Sequence, residues 1–133
     1  MPKITHFIYC LNSIASDEKT DVSGILSAIT PSHIPGDFSF SILCSIMNLS
    51  DGFHDIEVKF LSPSKKILAK LDGVVPFTFD QKLNVPREYM GVNISANFQN
   101  IFFEETGLYK SFVVVDGEEF GPFEIYAKGR SNE

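Results

Sequence analysis

Alternation of apolar and polar residues is the strongest pattern along this chain, and it is clearest between Asp37 and Met47. In that stretch the apolar set alternates with a more polar one: Phe38, Phe40, Ile42, Cys44 and Ile46 against Ser39, Ser41, Leu43, Ser45 and Met47. Because successive side chains of a strand point to opposite faces of its sheet, the first set is expected to line a core. The pattern predicts a long, central strand.

The middle of the chain predicts further strands. After the turn residues 50–52, an apolar set alternates with a charged one: Ile56, Val58 and Phe60 against Asp55, Glu57 and Lys59. This strand is predicted to form a hairpin with the long strand. Residues 67–71 predict a short strand closed by Asp72 and Gly73. Residues 74–79 predict a strand at a sheet edge or a bulge, because Pro76 has no N–H to give to a central ladder.

The two ends of the chain also show strand patterns. One half-exposed strand has an apolar and an amide-rich face: Val92, Ile94, Ala96 and Phe98 against Asn93, Ser95, Asn97 and Gln99. Residues 109–115 and 118–127 flank Asp116 and Gly117, a pair typical of a type I′ turn, and predict a C-terminal hairpin. Residues 4–11 and 24–29 predict two strands at the front, with the polar residues 16–21 between them.

Short strands without intervening helices predict a sandwich or a barrel, since no window of about 12 residues shows a capped helical period. Gly107, Leu108 and Tyr109 stand just before the penultimate strand, where immunoglobulin-like sandwiches carry a tyrosine whose hydroxyl bonds to backbone upstream. We therefore predict an all-β, antiparallel immunoglobulin-like β-sandwich of about 7–9 strands. One domain is expected over residues 1–127, followed by a polar tail over residues 128–133.

Charge and hydropathy exclude two classes of partner. The net charge is -6 and the 11 Lys and Arg residues are scattered, whereas nucleic-acid binding needs a clustered basic face. No stretch approaches the roughly 20 apolar residues of a membrane helix. The first residues, MPKITHFIYCLNSIAS, lack the pattern of a secretory signal, so we expect a cytoplasmic protein with neither nucleic acid nor membrane as partner.

The chain has two cysteines, Cys10 and Cys44. In a secreted sandwich they would be candidates for an inter-sheet disulfide. Without a secretory signal, two reduced and buried thiols are the expectation, and the sequons at Asn48 and Asn93 are expected to carry no glycan.

Several short motifs, in this order, resemble a known family. They are Phe7-Ile8-Tyr9-Cys10-Leu11, Val22 to Ile29, Ile34-Pro35, Gly52 to Val58 followed by Ser62-Pro63, Gly107-Leu108-Tyr109, and Gly121-Pro122-Phe123. The chain is similar in these segments to DUF6941, a family of uncharacterised bacterial proteins of about this length. The resemblance implies a small β-sandwich and carries no activity or catalytic residue.

No set of side chains has the spacing of a catalytic or metal site. His6, His33 and His54 lack partners at metal-ligand spacing. The loop acids Asp51, Asp55, Asp72 and Asp80 match no compact calcium loop. The pairs Glu104-Glu105 and Glu118-Glu119 are explained as surface acids rather than as a glycosidase pair. We therefore expect no enzyme, no cofactor and no bound metal.

One apolar run precedes the acidic residues of the last third of the chain, and it comprises Ile101, Phe102 and Phe103. At most two of the three can face one side of a strand, so either one ring lies at the surface or the chain enters a loop that packs over the edge of the core. The leading hypothesis is a protein-interaction or self-association module that uses this patch or a sheet edge, either the Pro76 strand or the N-terminal strand. The alternative is a small-ligand or carbohydrate-binding domain that uses loops at one end of the sandwich.

Overall fold

The computed structural model describes residues 1–15 and 19–130, and these residues form nine strands. The strands are β1 (Lys3–Ala15), β2 (Thr20–Ile25), β3 (Ala28–Ile29), β4 (Gly36–Met47), β5 (Gly52–Leu61), β6 (Ile67–Phe77), β7 (Gly91–Phe103), β8 (Gly107–Val115) and β9 (Glu118–Ala127). Between β6 and β7 lie two short 3-10 turns, Gln81–Leu83 and Arg87–Tyr89. The predicted strand content is thus confirmed.

The strands form two packed sheets. Sheet A has the order β2-β1-β4-β7, and sheet B has the order β3-β9-β8-β5-β6. Every pair is antiparallel except β3 with β9, which is parallel. In an immunoglobulin-like sandwich the second and fifth strands of the motif neighbour each other in one sheet, and the third, sixth and seventh form the other. β4 and β7 fill the first role, and β5, β8 and β9 fill the second, so the predicted fold is confirmed.

The core consists of the inward-facing set of each strand. On β4 the predicted inward residues Phe40, Ile42, Cys44 and Ile46 are fully buried. They meet an aromatic cluster between the sheets, in which Phe40 lies 4.9 Å from Phe60 and Phe103 lies 5.0 Å from Tyr109 between ring centroids. Burying a side chain of this size contributes roughly 1.5–3 kcal/mol. The rings therefore join the two sheets at their centre.

The predicted hairpin between the long strand and its successor is wrong. β4 lies in sheet A and β5 lies in sheet B, so the two strands face each other across the core. The chain makes this crossing at Asn48, which has a left-handed φ of 61°, and at Leu49, which is buried. Alternation predicts which face of a strand is apolar. The alternating pattern of a strand is the same whether its neighbour in sequence pairs with it in a hairpin or lies across the sandwich.

Two strand boundaries also differ from the prediction. Residues 67–77 form one strand rather than two, because Asp72 and Gly73 pair with Glu57 and Ile56 inside the ladder instead of turning. Residues 24–29 do not form one strand: β2 ends at Ile25 in sheet A, and β3 begins at Ala28 in sheet B. The edge position of the Pro76 strand is confirmed, since β6 ends sheet B. Of the polar stretch 16–21, residues 16–18 lie outside the described residues.

The C-terminal hairpin and the tyrosine corner are confirmed. Asp116 and Gly117 have φ values of 49° and 87°, as a type I′ turn requires, and they join β8 to β9. The hydroxyl of the buried Tyr109 donates to the carbonyl of Glu105 at 2.5 Å. Beyond Ala127, the N–H groups of Lys128 and Arg130 donate to the carbonyls of residues 29 and 31, and residues 131–133 of the tail lie outside the described residues.

Replacing Tyr109 with Phe tests the tyrosine corner. The substitution keeps the ring in the core and removes one buried hydrogen bond, so the free energy of unfolding is expected to fall by about 1 kcal/mol in urea denaturation. The matched control is Tyr126→Phe, because Tyr126 is exposed and its hydroxyl has no hydrogen-bond partner in the described structure. Equal stability of Y109F and the parent protein would contradict a stabilising role for this bond.

Candidate functional site

The candidate site is a cleft on one side of the sandwich, and it exists because β1 is only partly covered. β1 pairs with β4 from Lys3 to Cys10 and with β2 from Cys10 onwards. After Ile25 the chain leaves β1 and crosses to sheet B, where β3 pairs with β9. Among the described residues, therefore, no strand lies beside the first half of β1 on the side away from β4.

Unpaired main-chain groups line this edge. The carbonyl of Tyr9 accepts a hydrogen bond from the N–H of Leu26 at 2.7 Å, so the main chain of Tyr9 faces away from β4. Main-chain groups alternate in direction along a strand, which places the N–H and C=O of Phe7 on the same side. Within the described residues no strand pairs with Phe7 on that side. The edge can accept an added strand there.

The opposite wall of the cleft is β9, which β3 covers only at Tyr126 and Ala127. The rings of Phe7 and Phe123 stack across the gap, with centroids 4.2 Å apart and planes 3° from parallel. The hydroxyl of Tyr9 donates to the carbonyl of Phe123 at 2.7 Å and accepts from the hydroxyl of Ser111 at 2.6 Å. Burial raises the pKa of Tyr9, so this hydroxyl stays neutral and holds the two walls together.

The cleft has a volume of about 490 Å³. Most of its lining residues have apolar side chains and one is charged, while polar atoms supply about half of the surface exposed to the cleft: Phe7, Ile8, Tyr9, Ile25, Leu26, Ser27, Pro122, Phe123 and Glu124. Ile25 is the most open of the large apolar side chains here, at 68% exposure. A concave surface with apolar side chains beside unpaired backbone suits an extended peptide. The peptide main chain can pair with the open edge of β1, and its alternate side chains can pack in the cleft.

Three other edges, on β6, β7 and β9, carry features that discourage pairing. β6 has Lys70, Asp72 and Pro76 along its length. β7 is interrupted by a bulge and by Asn100, whose φ is 54°. β9 has Pro122, which offers no N–H. The stretch of β1 beside the cleft contains no proline, and its nearest irregularity is the bulge between Ile4 and His6.

The predicted patch Ile101, Phe102 and Phe103 is divided between the two faces of β7. Phe103 is fully buried among the core rings, Ile101 is half-buried against the core, and Phe102 points outward with 49% exposure. β7 stands at the far edge of sheet A from the cleft. The apolar run therefore supplies one exposed ring rather than a continuous patch.

The three histidines are separated, and only one has a structured environment. His6 and His33 are exposed. His54 has 5% exposure, and its Nδ1 donates to the Asp116 carboxylate at 2.6 Å while its Nε2 donates to the Ser50 carbonyl at 2.6 Å. Both neighbours are acceptors, so only the imidazolium satisfies both nitrogens. These two hydrogen bonds raise the pKa of His54, and the hydrogen bond from His54 lowers the pKa of Asp116.

Sequence reasoning missed the His54–Asp116 pair. The two residues lie on β5 and on the β8–β9 turn, and the pair joins neighbouring strands of sheet B at one end. Asp116 also accepts the N–H of Asp55 at 2.8 Å. Because both ring nitrogens of His54 are engaged within the protein, neither is open to a substrate. His54 thus links the turn before β5, through Ser50, to the β8–β9 turn, through Asp116. We call the His54–Asp116 pair the latch, and its role is structural rather than that of a catalytic dyad.

The acidic candidates form separate contacts. Asp51 binds Arg87 at 3.1 Å, Asp72 lies 3.6 Å from Lys70, and Asp80 caps the first 3-10 turn. Glu104 and Glu119 contact Lys66 and Lys59 at opposite ends of β8. Within residues 1–15 and 19–130, no three His, Cys, Asp or Glu side chains are grouped as a metal site would require.

Both thiols are free and buried. Cys44 belongs to the core, whereas Cys10 lies at the junction of the β1–β2 and β1–β4 pairings. Burial raises the pKa of Cys44 to about 12, and burial also raises the pKa of Cys10. Neither thiol has the lowered pKa of a nucleophile.

Comparison with known proteins gives a family without an assigned activity. A family model described as a family of unknown function, DUF6941, matches residues 7–128. No curated protein matches the chain. Across the described residues, no helix has the length and apolar character needed to cross a bilayer.

Replacing Asp116 with Asn tests the latch through its pH dependence. The raised pKa of His54 gives stability that is present below about pH 6.5 and is lost as the pH rises through the folded pKa. The lowered pKa of Asp116 gives stability that is present above about pH 4 and is lost as the pH falls through the folded pKa. Asn keeps the turn and removes the charge.

We expect D116N to be less stable than the parent protein by about 1 kcal/mol near pH 5.5, since solvent screens the half-exposed carboxylate. The difference is expected to narrow towards pH 9, as the pH rises through the raised pKa of His54 and the neutral ring can accept from an amide donor. Urea denaturation at both pH values measures this, and His6→Gln, at an exposed histidine, is the control. A difference that does not change with pH would contradict the latch.

Proposed function

Because the chain belongs to DUF6941, a family of unknown function, we propose its role from its surface: a non-enzymatic protein-interaction module that binds an extended segment of a partner protein in the β1–β9 cleft. The observation that carries this proposal is the open edge of β1: in the described structure no strand pairs with the main chain of Phe7 on the side away from β4, and a cleft of about 490 Å³ lies beside it. Strand addition to such an edge supplies main-chain hydrogen bonds and pockets for alternate side chains.

The geometry of the cleft favours a strand over a compact ligand. An added strand beside residues 3–8 would continue the line of β2 along sheet A, since β2 occupies the same side of β1 from Cys10 onwards. Its inward side chains would meet Leu26 and the Phe7–Phe123 stack, and Ile25 would border its end. A partner segment with alternating apolar residues is therefore the expected occupant, and a second copy of this chain is one source of such a segment.

The proposed setting is the bacterial cytoplasm. The two thiols are free, and they lie on opposite faces of sheet A, since Cys44 faces the core and Cys10 alternates with the inward-facing Tyr9. Reduced, structurally separate cysteines are typical of cytosolic proteins. This supports the setting without identifying the partner.

A ligand site formed by end loops has less support. At the Ser62 end, Ser64 bonds to both Ser62 and Glu105, and Lys66 bonds to Glu104. The space among these residues is about 20 Å³, which is room for about one water and far below the roughly 300 Å³ of a small-molecule site. The loops at this end are therefore closed around themselves.

Replacing Ile25 with Asp tests the interaction module. Peptides are first selected from a linear library against the parent protein, and their dissociation constants are then measured by fluorescence anisotropy. Asp at position 25 places a charge beside the apolar segment, so I25D is expected to bind at least about tenfold more weakly. The matched control is Ile14→Asp, since Ile14 is 61% exposed on the same hairpin and lies outside the cleft lining.

Hydrogen exchange locates the bound peptide. The amide protons of Phe7 and Tyr9 are expected to gain protection in the complex, because they face the open side of β1. Selected peptides that bind I25D and I14D equally well, or that protect β6 instead, would contradict the cleft as the site. A protein that selects no peptide and stays monomeric in light scattering would contradict the interaction module itself.

A further inference from the structure

The outer face of sheet A carries a row of uncharged polar side chains. On β7 the row comprises Asn93, Ser95, Asn97 and Gln99, and on β4 it comprises Ser39, Ser41 and Ser45. The register pairs Ser45 with Asn93 and Ser41 with Asn97. This row lies on a different surface from the cleft, because the cleft opens beside β1 and β9.

The amide groups in this row keep unused donors. Ser45 donates its hydroxyl to Oδ1 of Asn93 at 2.6 Å, and Ser41 donates in the same way to Oδ1 of Asn97. The oxygen of each amide is thus occupied, while its NH₂ group, with two donors, has no protein partner in the described structure. Gln99 is exposed, and its amide likewise bonds to none of the described residues. The row therefore offers several donors directed at solvent.

The β1–β2 hairpin turns this face into a groove. β1 contacts β7 directly although β4 lies between them in the sheet, and the hydroxyls of Ser13 and Ser95 meet in a hydrogen bond. The second half of β1 therefore bends over the outer face, and Leu11 and Asn12 form a wall opposite Asn97 and Gln99. The groove has a volume of about 230 Å³.

The chemistry of the groove excludes charged ligands. Its lining contains no Asp, Glu, Lys or Arg: Leu11, Asn12, Ser39, Phe40, Ser41, Asn97, Phe98 and Gln99. A phosphate or a nucleic acid needs cationic partners, which this surface lacks. A peptide strand needs an open ladder, and β4 is paired on both sides. Neutral hydroxyl groups match the free amide donors.

An exposed aromatic ring extends the groove along the same face. Phe102 pairs with Asp37, which lies two residues before Ser39 on β4, and both side chains face outward. Half of its ring is open to solvent. A flat apolar surface next to amide donors fits the two surfaces of a sugar ring, whose C–H face is apolar and whose edge carries hydroxyls.

We propose that this groove, with Gln99 and Asn97 as its donors and Phe102 as its platform, is a binding site for neutral oligosaccharides. The groove holds one sugar ring, and Phe102 holds a neighbouring ring of a longer chain. The site is independent of the β1–β9 cleft, since the two linings share no residue.

Calorimetric titration with cellohexaose, maltohexaose, mannohexaose and chitohexaose at millimolar concentration tests the site. At least one of these sugars is expected to bind the parent protein, and Gln99→Ala and Asn97→Ala are each expected to weaken that binding about tenfold. Gln99 is exposed and forms no bond in the fold, so Q99A keeps the test valid if N97A is unstable. Asn93→Ala is the matched control, because the Asn93–Ser45 pair repeats the Asn97–Ser41 pair outside the groove.

Phe102→Ala distinguishes the contribution of the Phe102 ring to sugar binding from that of the groove. This variant is expected to lose affinity for the hexaose and to retain the weaker binding of the corresponding monosaccharide. Failure of all four sugars to bind would overturn the proposal, and so would equal losses in N93A and N97A. Because I25D lies outside this groove, its effect on peptide binding reports on the cleft alone, and failure of either proposal leaves the other in place.

Discussion

Tyr9 is the residue on which both the fold and the open side of the sandwich depend. Its ring packs 6.2 Å from Phe40 and from Phe60 between centroids, and so it belongs to the cluster that joins the sheets. Its hydroxyl bonds to Ser111 on β8 and to the main chain of Phe123 on β9. One side chain thus fixes the spacing between the edge of sheet A and the edge of sheet B. With that spacing fixed, the cleft stays open without collapse of its apolar walls.

Much of this architecture follows from local patterns. Alternation identified the inward set of β4, and the two positive φ values at Asp116 and Gly117 follow from their turn chemistry. The tyrosine corner was predicted from the place of Tyr109 near the start of β8. The pairing of the strands did not follow from these local patterns. β4 and β5 are neighbours in sequence but face each other across the core, because alternation is the same for a partner in the sheet and for one opposite.

Neither candidate surface was predictable, because both arise from contacts between distant residues. The cleft depends on the chain leaving β1 after Ile25, and the predicted strand over 24–29 concealed that crossing. The groove depends on Ser13 meeting Ser95, which is 82 residues away. The same holds for His54 and Asp116, which alone look like a strand residue and a turn residue. Sequence indicated the amide-rich face of β7 but not the hairpin that walls it.

Both surfaces have one physical origin, the length of β1. The strand has 13 residues, and Cys10 is its only described residue with a ladder partner on each side, Ser41 of β4 and Ile25 of β2. Before Cys10 the strand has β4 but no second neighbour, which leaves the edge beside the cleft. After Cys10 it has β2 but has left β4, so it is free to bend over the outer face and to wall the groove. A β1 that ended at Cys10 would keep the cleft edge and lose the wall of the groove, whereas a β2 that followed β1 along its whole length would fill the cleft edge and keep the groove.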